Sequence, residues 1–318
     1  MMSKYLVTGG CGFIGSHLVD ALLACGCSVR ILDNLSTGKH IHKSPNVELI
    51  IGDVADPQIV AEAMDGMEGC FHLAAVASVQ RSEEDWLGTH RVNSTGAIAI
   101  FDAARKVTAG TPIPVVYASS AAVYGDARRV PISENAVSRP LSAYGSDKLG
   151  CELHGYVASR VHGVPTCGLR FFNVYGPRQD PKSDYSGVIS IFCDRLTAGR
   201  EVTVYGDGFQ TRDFIYVGDV VSAMLMAINH RTSDSNVFNV CSGIPVTVNG
   251  IIEIIARLLD EKPHIVFAPS RKSEIRHSVG NPNKARRALG FSASIDLAAG
   301  LTLTLRSHGK NDQTVNDA

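Results

Sequence analysis

The chain has 318 residues, enough for about two domains of ordinary size, which excludes a peptide hormone or a disulfide-stabilised mini-protein. Its 30 basic and 31 acidic residues leave a formal net charge of −1 without a basic cluster, which argues against nucleic-acid and membrane-surface binding. Charged residues make up 19% and glycines number 30, which suits an enzyme with a large core and many tight turns.

The eight cysteines contain no C-x-x-C pair and mostly fall in apolar segments, so we expect buried, reduced thiols. The first residues lack the basic and apolar regions of a signal peptide, and no apolar run approaches the length of about 18 residues that a membrane-spanning helix needs. We therefore expect a cytoplasmic protein without a membrane anchor or membrane partner.

Short β-branched and apolar runs alternate with longer helical patterns through the first half of the chain. This alternation predicts an α/β fold with a doubly wound parallel sheet of the Rossmann type. The predicted strands cover residues 5–8, 28–32, 47–51, 69–73, 114–118 and 166–171. The predicted helices cover residues 14–24, 57–64, 87–106 and 143–162.

The alternation becomes irregular after residue 173, where glycine- and proline-rich connections begin. We expect residues 1–173 to form a dinucleotide-binding domain, and residues 174–212 and 242–308 to form a smaller α/β domain for the substrate. The segment 213–241 starts with a strand and helix pattern and is expected to return to the first domain. The polar residues 309–318 are expected to be a frayed tail.

Three glycines with the spacing G-x-x-G-x-x-G follow the first predicted strand and open the first predicted helix. Gly9 allows the tight turn, Gly12 lets a pyrophosphate approach the backbone, and Gly15 lets helix and strand pack closely. Glycine is common in turns, but glycines at a strand–helix junction are typical of a dinucleotide site. Phe13 and Ile14 lie inside this motif and are expected to belong to the same site.

An acid at the end of the second predicted strand strengthens this prediction. Asp33 follows Gly15 by 18 residues, which is close to the spacing of the ribose-binding acid in such sites. A carboxylate can accept hydrogen bonds from both ribose hydroxyls and repels a 2′-phosphate, so the sequence favours NAD over NADP.

The segments after the second and third strands are expected to surround the adenosine. Asn34, Ser36 and Gly38 belong to the first of these segments. Asp53 and Val54 end the third strand and could border the adenine. Asp53 could equally be a turn or helix-cap residue.

A tyrosine and a lysine stand at positions i and i+4 of a predicted helix, Tyr144 and Lys148, and so share one face. A free phenol has a pKa near 10, but an ammonium about 4 Å away favours the phenolate by about 4 kcal/mol at an effective dielectric near 20. Such pairs also occur by chance. Ser120 supports a catalytic role for this pair, because it follows the fifth strand at the edge where doubly wound sheets bind ligands. A serine at this position could also be a turn residue.

Over nearly its whole length the chain resembles the extended short-chain dehydrogenase/reductase family and, within it, the NAD-dependent UDP-sugar 4-epimerases. The resemblance rests on residues 8–15 (TGGCGFIG), 33–38 (DNLSTG), 72–75 (HLAA), Asn93, 119–120 (SS), 144–148 (YGSDK), 169–177 (LRFFNVYGP), 206–214 (GDGFQTRDF) and 239–240 (NV). It implies further contacts to NAD from Leu73, Ala74, Ala75, Asn93 and Phe171, beside Tyr144 and Lys148.

The resemblance implies a reaction without net redox change. Tyr144 takes the proton of the sugar 4-hydroxyl while a hydride passes from C4 to NAD. Lys148 favours the tyrosinate and binds the nicotinamide ribose, and Ser120 bonds the reacting oxygen. The 4-keto sugar then turns over and takes the hydride back on its other face.

The resemblance also implies how the UDP-sugar is held. Arg212 and Arg271 are expected to bind the diphosphate through paired hydrogen bonds, although either could form an exposed ion pair instead. The other expected contacts are Ser119, Ser120, Asn173, Gly187, Val188, Glu274 and Ser278. Glu274 ends a Lys-Ser-Glu run where the family commonly has Glu-Gly-Asp, which is a departure at the uridine-ribose contact.

Two positions bear on the reaction and on the sugar. Relatives that dehydrate or decarboxylate carry a glutamate directly after the hydroxyl residue, whereas Ala121 and Ala122 follow Ser120, which favours epimerisation. Galactose-restricted epimerases carry a tyrosine at the position of Ser278, and serine leaves space for an N-acetyl group. We expect interconversion of UDP-GlcNAc and UDP-GalNAc, with UDP-Glc/UDP-Gal as a weaker or parallel activity.

Other interpretations stay open: an epimerase restricted to non-acetylated sugars, a UDP-uronic acid 4-epimerase, a simple dehydrogenase, and a NAD-sensing regulator without chemistry. The intact serine, tyrosine and lysine argue against the regulator. The helices at 87–106 and 143–162 resemble those through which family members dimerise, so a C2 homodimer is expected. No metal site is predicted.

Overall fold

The computed structural model describes residues 2–107, 110–183, 187–230, 236–270 and 275–311. The strands are, in chain order, β1 (Lys4–Thr8), β2 (Ser28–Asp33), β3 (Val47–Ile51), β4 (Gly69–His72), β5 (Val115–Ser120), β6 (Thr166–Phe171), β7 (Asn173–Tyr175), β8 (Val202–Tyr205), β9 (Thr211–Tyr216), β10 (Asn236–Val240), β11 (Pro245–Thr247), β12 (Ile265–Ala268) and β13 (His277–Ser278). The α-helices are α1 (Phe13–Ala24), α2 (Pro57–Met64), α3 (Val79–Glu84), α4 (Trp86–His90), α5 (Gly96–Arg105), α6 (Ala143–His162), α7 (Val188–Thr197), α8 (Val217–Asn229), α9 (Val248–Leu259), α10 (Asn283–Leu289) and α11 (Leu297–Asn311).

A seven-stranded parallel sheet forms the centre of the molecule, with the strand order β10-β6-β5-β4-β1-β2-β3. The chain builds outward from β1 through β2 and β3, and then returns to build outward on the other side from β4. The order therefore reverses between β1 and β4, and doubly wound sheets bind ligands in the crevice at such a reversal. The predicted Rossmann-type fold is confirmed.

Alternate residues of these strands point into two apolar layers. On one face, Val7, Phe71 and Leu169 pack with residues of α1 and α8. On the other face, Leu6 and Cys70 pack with residues of α2, α5 and α6. The sheet is therefore covered on both sides, and its ligand-binding edge is held by two separate cores.

The helix that contains the tyrosine and lysine has the bounds that the sequence predicts. α6 begins after Ser142, whose hydroxyl accepts a hydrogen bond from Gly145 N at 3.1 Å, and ends at Gly163 in a left-handed conformation with φ +70°. The helix predicted at 87–106 is present as a continuous helical segment from Trp86 to Arg105, with a π-helical turn inside it that the sequence did not predict. A π-helical turn at Arg91–Thr95 separates α4 from α5.

Two smaller sheets lie in the second half of the chain. One has the order β11-β9-β13, with β7 also paired to β9, and the other pairs β12 with β8. Within residues 213–241, β9 belongs to the small sheet, whereas β10 pairs with β6 and α8 packs on α1. The return to the large sheet thus begins with α8, and the division into two domains stays a prediction.

Six of the eight cysteines are buried, and all eight are free thiols. Cys25 is exposed and Cys27 is partly exposed, which corrects the expectation of burial at these two positions. Both lie where α1 ends and the chain turns towards β2. In the described part of the chain, no helix combines the length and apolar character that crossing a bilayer requires.

Candidate active site

The loop between β1 and α1 depends on backbone approaches that only glycine allows. Gly9 has φ +70°, and a Cβ atom there would lie 2.8 Å from Ala74 N. A Cβ atom on Gly15 would overlap the carbonyl oxygen of Gly9. α1 then starts after Gly12 without a side-chain cap, so its first N–H groups are available to an anion such as a pyrophosphate.

Asp33 joins this loop to the segment after β2. Its Oδ2 accepts a hydrogen bond from Cys11 N at 2.9 Å, and its Oδ1 accepts one from Leu35 N at 2.8 Å. Each carboxylate oxygen keeps a further lone pair for a ribose hydroxyl. Gly38 lies against the glycine-rich loop, since a Cβ atom there would be 2.8 Å from the carbonyl carbon of Cys11. The glycine-rich loop and this buried acid fit the pyrophosphate and ribose of NAD.

The remaining adenosine-side residues stabilise their own turns. Asn34 Oδ1 accepts a hydrogen bond from Ser36 N at 3.1 Å. Asp53 Oδ1 accepts one from Ala55 N at 2.9 Å, and the same carboxylate pairs with Arg91 at 3.0 Å. Asp53 thus has the turn role that the sequence left open. Contacts of Asp53 and the neighbouring, buried Val54 with adenine stay predictions.

Thr8, at the end of β1, is the centre of a buried hydrogen-bond network with the end of β4. Thr8 Oγ1 accepts hydrogen bonds from Leu73 N and Ala74 N, each at 3.2 Å, and lies 2.8 Å from His72 Nδ1. Since the hydroxyl oxygen accepts twice, its proton is left for the imidazole nitrogen. Burial lowers the pKa of His72 to about 3, and the positive charge of Lys148 adds to the shift. His72 is therefore neutral near pH 7.

Asn93, in the π-helical turn, fixes the backbone after the Leu73–Ala75 segment. Its Oδ1 accepts a hydrogen bond from Val76 N at 2.8 Å, and its Nδ2 donates one to Val76 O at 3.1 Å. Asn93 is 1% exposed. Its amide thus has a structural role, and direct contact with NAD stays a prediction. π-Turns often occur at functional sites.

Ser120, Tyr144 and Lys148 meet at the carboxyl end of β5. Ser120 Oγ accepts a hydrogen bond from Ala122 N at 3.1 Å, which leaves its O–H group to donate to a ligand. Lys148 Nζ donates to Ala118 O at 2.9 Å and lies 5.9 Å from the ring centroid of Tyr144. Lys148 is 3% exposed, so its charge lies below the tyrosine, away from water.

α6 reaches this strand end because one of its residues is glycine. A Cβ atom on Gly145 would lie 2.8 Å from Ala122 O, in the turn that follows Ser120. Beside it, Tyr144 N donates to Ser82 Oγ of α3 at 3.2 Å. The position of α6 against the end of β5 thus depends on one close backbone approach and on one hydrogen bond to the side chain of Ser82.

Ser119 does not face the substrate side, contrary to the sequence-based expectation. Its hydroxyl donates to Glu152 Oε1, and Glu152 forms a paired contact with Arg170 through Nε at 2.8 Å and Nη2 at 2.6 Å. Arg170 Nη1 continues to Tyr124 OH at 2.8 Å. Successive strand residues point to opposite faces, so Ser119 turns into this buried network while Ser120 lines the cavity.

A cavity of about 980 Å³ lies in front of Ser120 and Tyr144. Six of the residues predicted to contact the substrate line it: Ser120, Asn173, Gly187, Val188, Arg212 and Ser278. Phe171, which was predicted to contact NAD, lines it as well. Arg271 and Glu274 lie outside the described residues.

The small sheet brings the substrate-side residues together. Ser278 of β13 lies opposite Arg212 of β9, and Asn173 Nδ2 donates to Asp213 O at 3.0 Å. These residues are more than 100 positions apart in the chain at the extremes, so only strand pairing could reveal their proximity.

The cavity is also lined by polar side chains that the sequence analysis missed, among them Glu83, Gln179, Arg195 and Tyr205. Arg195 could have been found, because it follows Val188 by seven residues and so lies on the same face of α7. Glu83 comes from α3, whose approach to the cavity no local pattern indicates.

The family model "NAD dependent epimerase/dehydratase family" matches residues 5–241. The chain belongs to this family. The predictions of the family, of an enzyme and of NAD as its cofactor are confirmed.

Similar proteins and solved structures align with this chain over almost its full length. A "Putative UDP-glucose 4-epimerase" from Methanocaldococcus jannaschii is 36% identical over 311 residues, 97% of this chain and 99% of that protein. The structure of a UDP-glucose 4-epimerase from Thermotoga maritima with UDP-glucose matches with a TM-score of 0.91 and 34% identity, over 97% of this chain and 99% of that one. A UDP-N-acetylglucosamine 4-epimerase from Methanobrevibacter ruminantium, in complex with UDP-N-acetylmuramic acid, matches with a TM-score of 0.91 and 33% identity, over 98% and 100%.

Proposed function

We propose that this enzyme interconverts UDP-GlcNAc and UDP-GalNAc by epimerisation at C4, with UDP-Glc/UDP-Gal as a parallel activity. The observation that carries the proposal is the single cavity that Ser120, Tyr144 and Ser278 all line. It joins the proton-transfer residues to a small side chain at the position expected to face the sugar 2-substituent. Similar proteins act on UDP-glucose and on UDP-N-acetylglucosamine by name, so the sugar rests on the cavity.

NAD supplies the acceptor and donor of the C4 hydride. Tyr144 accepts the proton of the 4-hydroxyl and returns it at the end of the cycle, and Ser120 donates a hydrogen bond to the same oxygen. The ammonium of Lys148 is buried, donates to Ala118 O and lies over the ring of Tyr144, so it is the positive charge nearest to the proposed proton acceptor.

The diphosphate and uridine are assigned to the side of the cavity formed by α7 and β9. Arg212 and Arg195 line this side, and a guanidinium can form paired hydrogen bonds with phosphate oxygens. Gly187 is the N-cap residue of α7 and has no side chain that could cap the helix. The first N–H groups of α7 can therefore also bind an anion.

The turn after Ser120 favours epimerisation over dehydration or decarboxylation. Ala121 and Ala122 both line the cavity, so no acid is provided at the position that eliminating relatives use. Glu83 is a carboxylate that lines the cavity from α3, and it is the residue whose chemistry would support elimination instead.

Incubation of purified protein with UDP-GlcNAc, without added NAD, tests the proposal by proton NMR of the nucleotide sugars. We expect UDP-GalNAc to accumulate to equilibrium without net NADH absorbance. Conversion of UDP-Glc alone would restrict the enzyme to non-acetylated sugars, and conversion of a UDP-uronic acid alone would favour the uronic-acid epimerase. Net NADH, a 4-keto-6-deoxy product or a decarboxylated product would each contradict epimerisation. NAD bound without turnover of any of these sugars would favour the regulator.

We also propose a C2 homodimer through α5 and α6. Four apolar side chains of α6 lie on one exposed face at helical spacing, Leu153, Tyr156, Val157 and Val161, and Ile98 of the adjacent α5 is exposed beside them. A second copy would bury this face as a four-helix bundle. Sedimentation equilibrium should give twice the chain mass, and Val161→Glu should give a monomer; a wild-type monomer would contradict the proposal.

A further inference from the structure

A group of two histidines and one aspartate lies outside the residues that line the cavity. Asp20 comes from α1, and His40 and His42 come from the segment between β2 and β3. One potential ligand atom from each side chain lies within 4.8 Å of the others. The described residues contain one such group of three.

The distances suit a transition-metal ion. Zinc binds imidazole nitrogen and carboxylate oxygen at about 2.0–2.2 Å, so two ligands of a tetrahedral site lie about 3.3 Å apart. His42 Nδ1 and Asp20 Oδ1 are 3.4 Å apart. His40 is exposed, and its ring meets that of His42 edge to face at a centroid distance of 4.6 Å, so it can complete the site by a side-chain rotation.

His42 has a second feature that ring packing does not explain. Its side chain is 4% exposed, and its Nε2 is buried with no hydrogen-bond partner among the described residues. A buried imidazole nitrogen without a partner costs free energy, and such groups in native proteins commonly indicate a missing water or ion. An ion beside Asp20 can bind only one of the two ring nitrogens, Nδ1 as the ring stands or Nε2 after a half-turn of the ring.

Arg178 orients the carboxylate for such an ion. Its guanidinium pairs with Asp20 Oδ2, which leaves Oδ1 directed at His42. Partners of this kind, which bind the second oxygen of a metal-binding carboxylate, hold ligands in orientation. Arg178 adopts φ +66°, a left-handed conformation that is costly for a residue with a side chain.

We propose that Asp20, His40 and His42 bind a divalent transition-metal ion, with zinc as the best chemical fit. Two nitrogen ligands and one carboxylate oxygen match zinc and disfavour magnesium and calcium, which take oxygen ligands. Three protein ligands leave a fourth position for water. The ion fastens the segment after β2 to α1, and His40 N already donates to Cys11 O of the glycine-rich loop at 3.1 Å.

Titration of tag-free, EDTA-dialysed protein with Co²⁺ tests this site without reference to sugar turnover. We expect saturable binding of one ion per chain with the intense visible absorption of a tetrahedral site, and displacement by Zn²⁺. The melting temperature should rise with the concentration of free metal, as for any ligand that binds the folded state. His40→Gln and Asp20→Asn should each weaken binding by about 10-fold or more.

Matched variants separate this site from other metal-binding groups. His264→Gln removes an exposed imidazole 3.6 Å from Glu201, a pair without a third ligand, and should leave the affinity unchanged. Cys25→Ser removes the exposed thiol and should also have no effect. His40 is exposed, so His40→Gln should melt like wild type without metal. Absence of saturable Co²⁺ binding, or equal affinity in wild type and both ligand variants, would overturn the proposal.

Discussion

The cofactor edge of the large sheet and the substrate cavity are built in different ways. At the cofactor edge, Asp33 and Thr8 bond backbone groups of the next segment, and Glu152 and Arg170 pair in the interior. In the cavity, side chains from distant segments line open space, and many of them are partly exposed. The difference suggests that the edge fixes the chemistry and tolerates little change, whereas the cavity can change its specificity without loss of fold.

The largest expected effect is a loss of turnover when the phenol oxygen of Tyr144 is removed, at the boundary between the cofactor edge and the cavity. Tyr144→Phe deletes the proton acceptor and should lower kcat by about 10³-fold, in the range of general acid–base catalysis. Melting temperature and bound NAD should stay unchanged, because Tyr144 bonds the rest of the structure through its backbone N–H group. Epimerisation rates by NMR provide the measurement.

Tyr156→Phe is the matched control, since Tyr156 lies three turns further along the same helix, on the face assigned to the dimer and outside the cavity lining. It should keep the wild-type rate. Retention of more than about a tenth of the activity by Tyr144→Phe would remove Tyr144 from its catalytic role.

The next largest effect concerns the interior of the cofactor edge. Glu152→Gln leaves the guanidinium of Arg170 buried without a countercharge, and the loss of one partner of a buried pair costs about 3–5 kcal/mol of unfolding free energy. Urea unfolding measures the loss. The paired variant Glu152→Leu/Arg170→Met should recover part of it, because both charges are removed together.

The ion pair of Asp194 and Arg200 on the surface is the control for the buried pair. Asp194→Asn breaks the surface contact with Arg200 and should cost less than about 1 kcal/mol. Equal losses in Glu152→Gln and Asp194→Asn would show that the interior network contributes no more than a surface pair.

A substitution in the cavity should change the substrate specificity rather than the stability. Ser278→Tyr places a large ring beside Arg212 at the predicted position of the sugar 2-substituent, so kcat/KM for UDP-GlcNAc should fall by about 10–100-fold relative to UDP-Glc. The melting temperature should stay within a few degrees of wild type. Parallel changes for both sugars would mean that Ser278 does not face the 2-substituent.

The same contrast explains what the sequence could predict. The glycine-rich loop, Asp33 and the Tyr144–Lys148 pair are local patterns whose geometry follows from a strand, a turn or a helix spacing. The bounds of α2 and α6 also follow from local signals, since Asp56 and Ser142 cap their first turns. Such features require no knowledge of distant contacts.

Other features required the whole fold. The helix predicted at 87–106 contains a π-helical turn, in which Asn93 bonds the backbone of Val76, and a helical pattern does not reveal either feature. Ser119 points into the interior, where its hydroxyl bonds Glu152 and Glu152 pairs with Arg170. The charge of Arg170 within an apolar strand was a local sign that a buried partner must be present. Of the UDP contacts, Ser278 and Arg212 become neighbours only through the pairing of β13 with β9.

The last expected effect is a pH dependence of unfolding that comes from the cofactor edge alone. Burial lowers the pKa of His72 from 6.5 to about 3, so the folded protein keeps this ring neutral while the unfolded chain protonates it. Protons bound only by the unfolded state lower stability as pH falls, here by up to about 1.4 kcal/mol per pH unit between about 6.5 and 3. His72→Asn, which can keep a polar contact with Thr8, should lose this component of the slope in urea unfolding between pH 6 and 4. His264→Asn removes an exposed ring and should unfold with the wild-type slope; equal slopes in His72→Asn and wild type would show that His72 does not stay neutral at the cofactor edge.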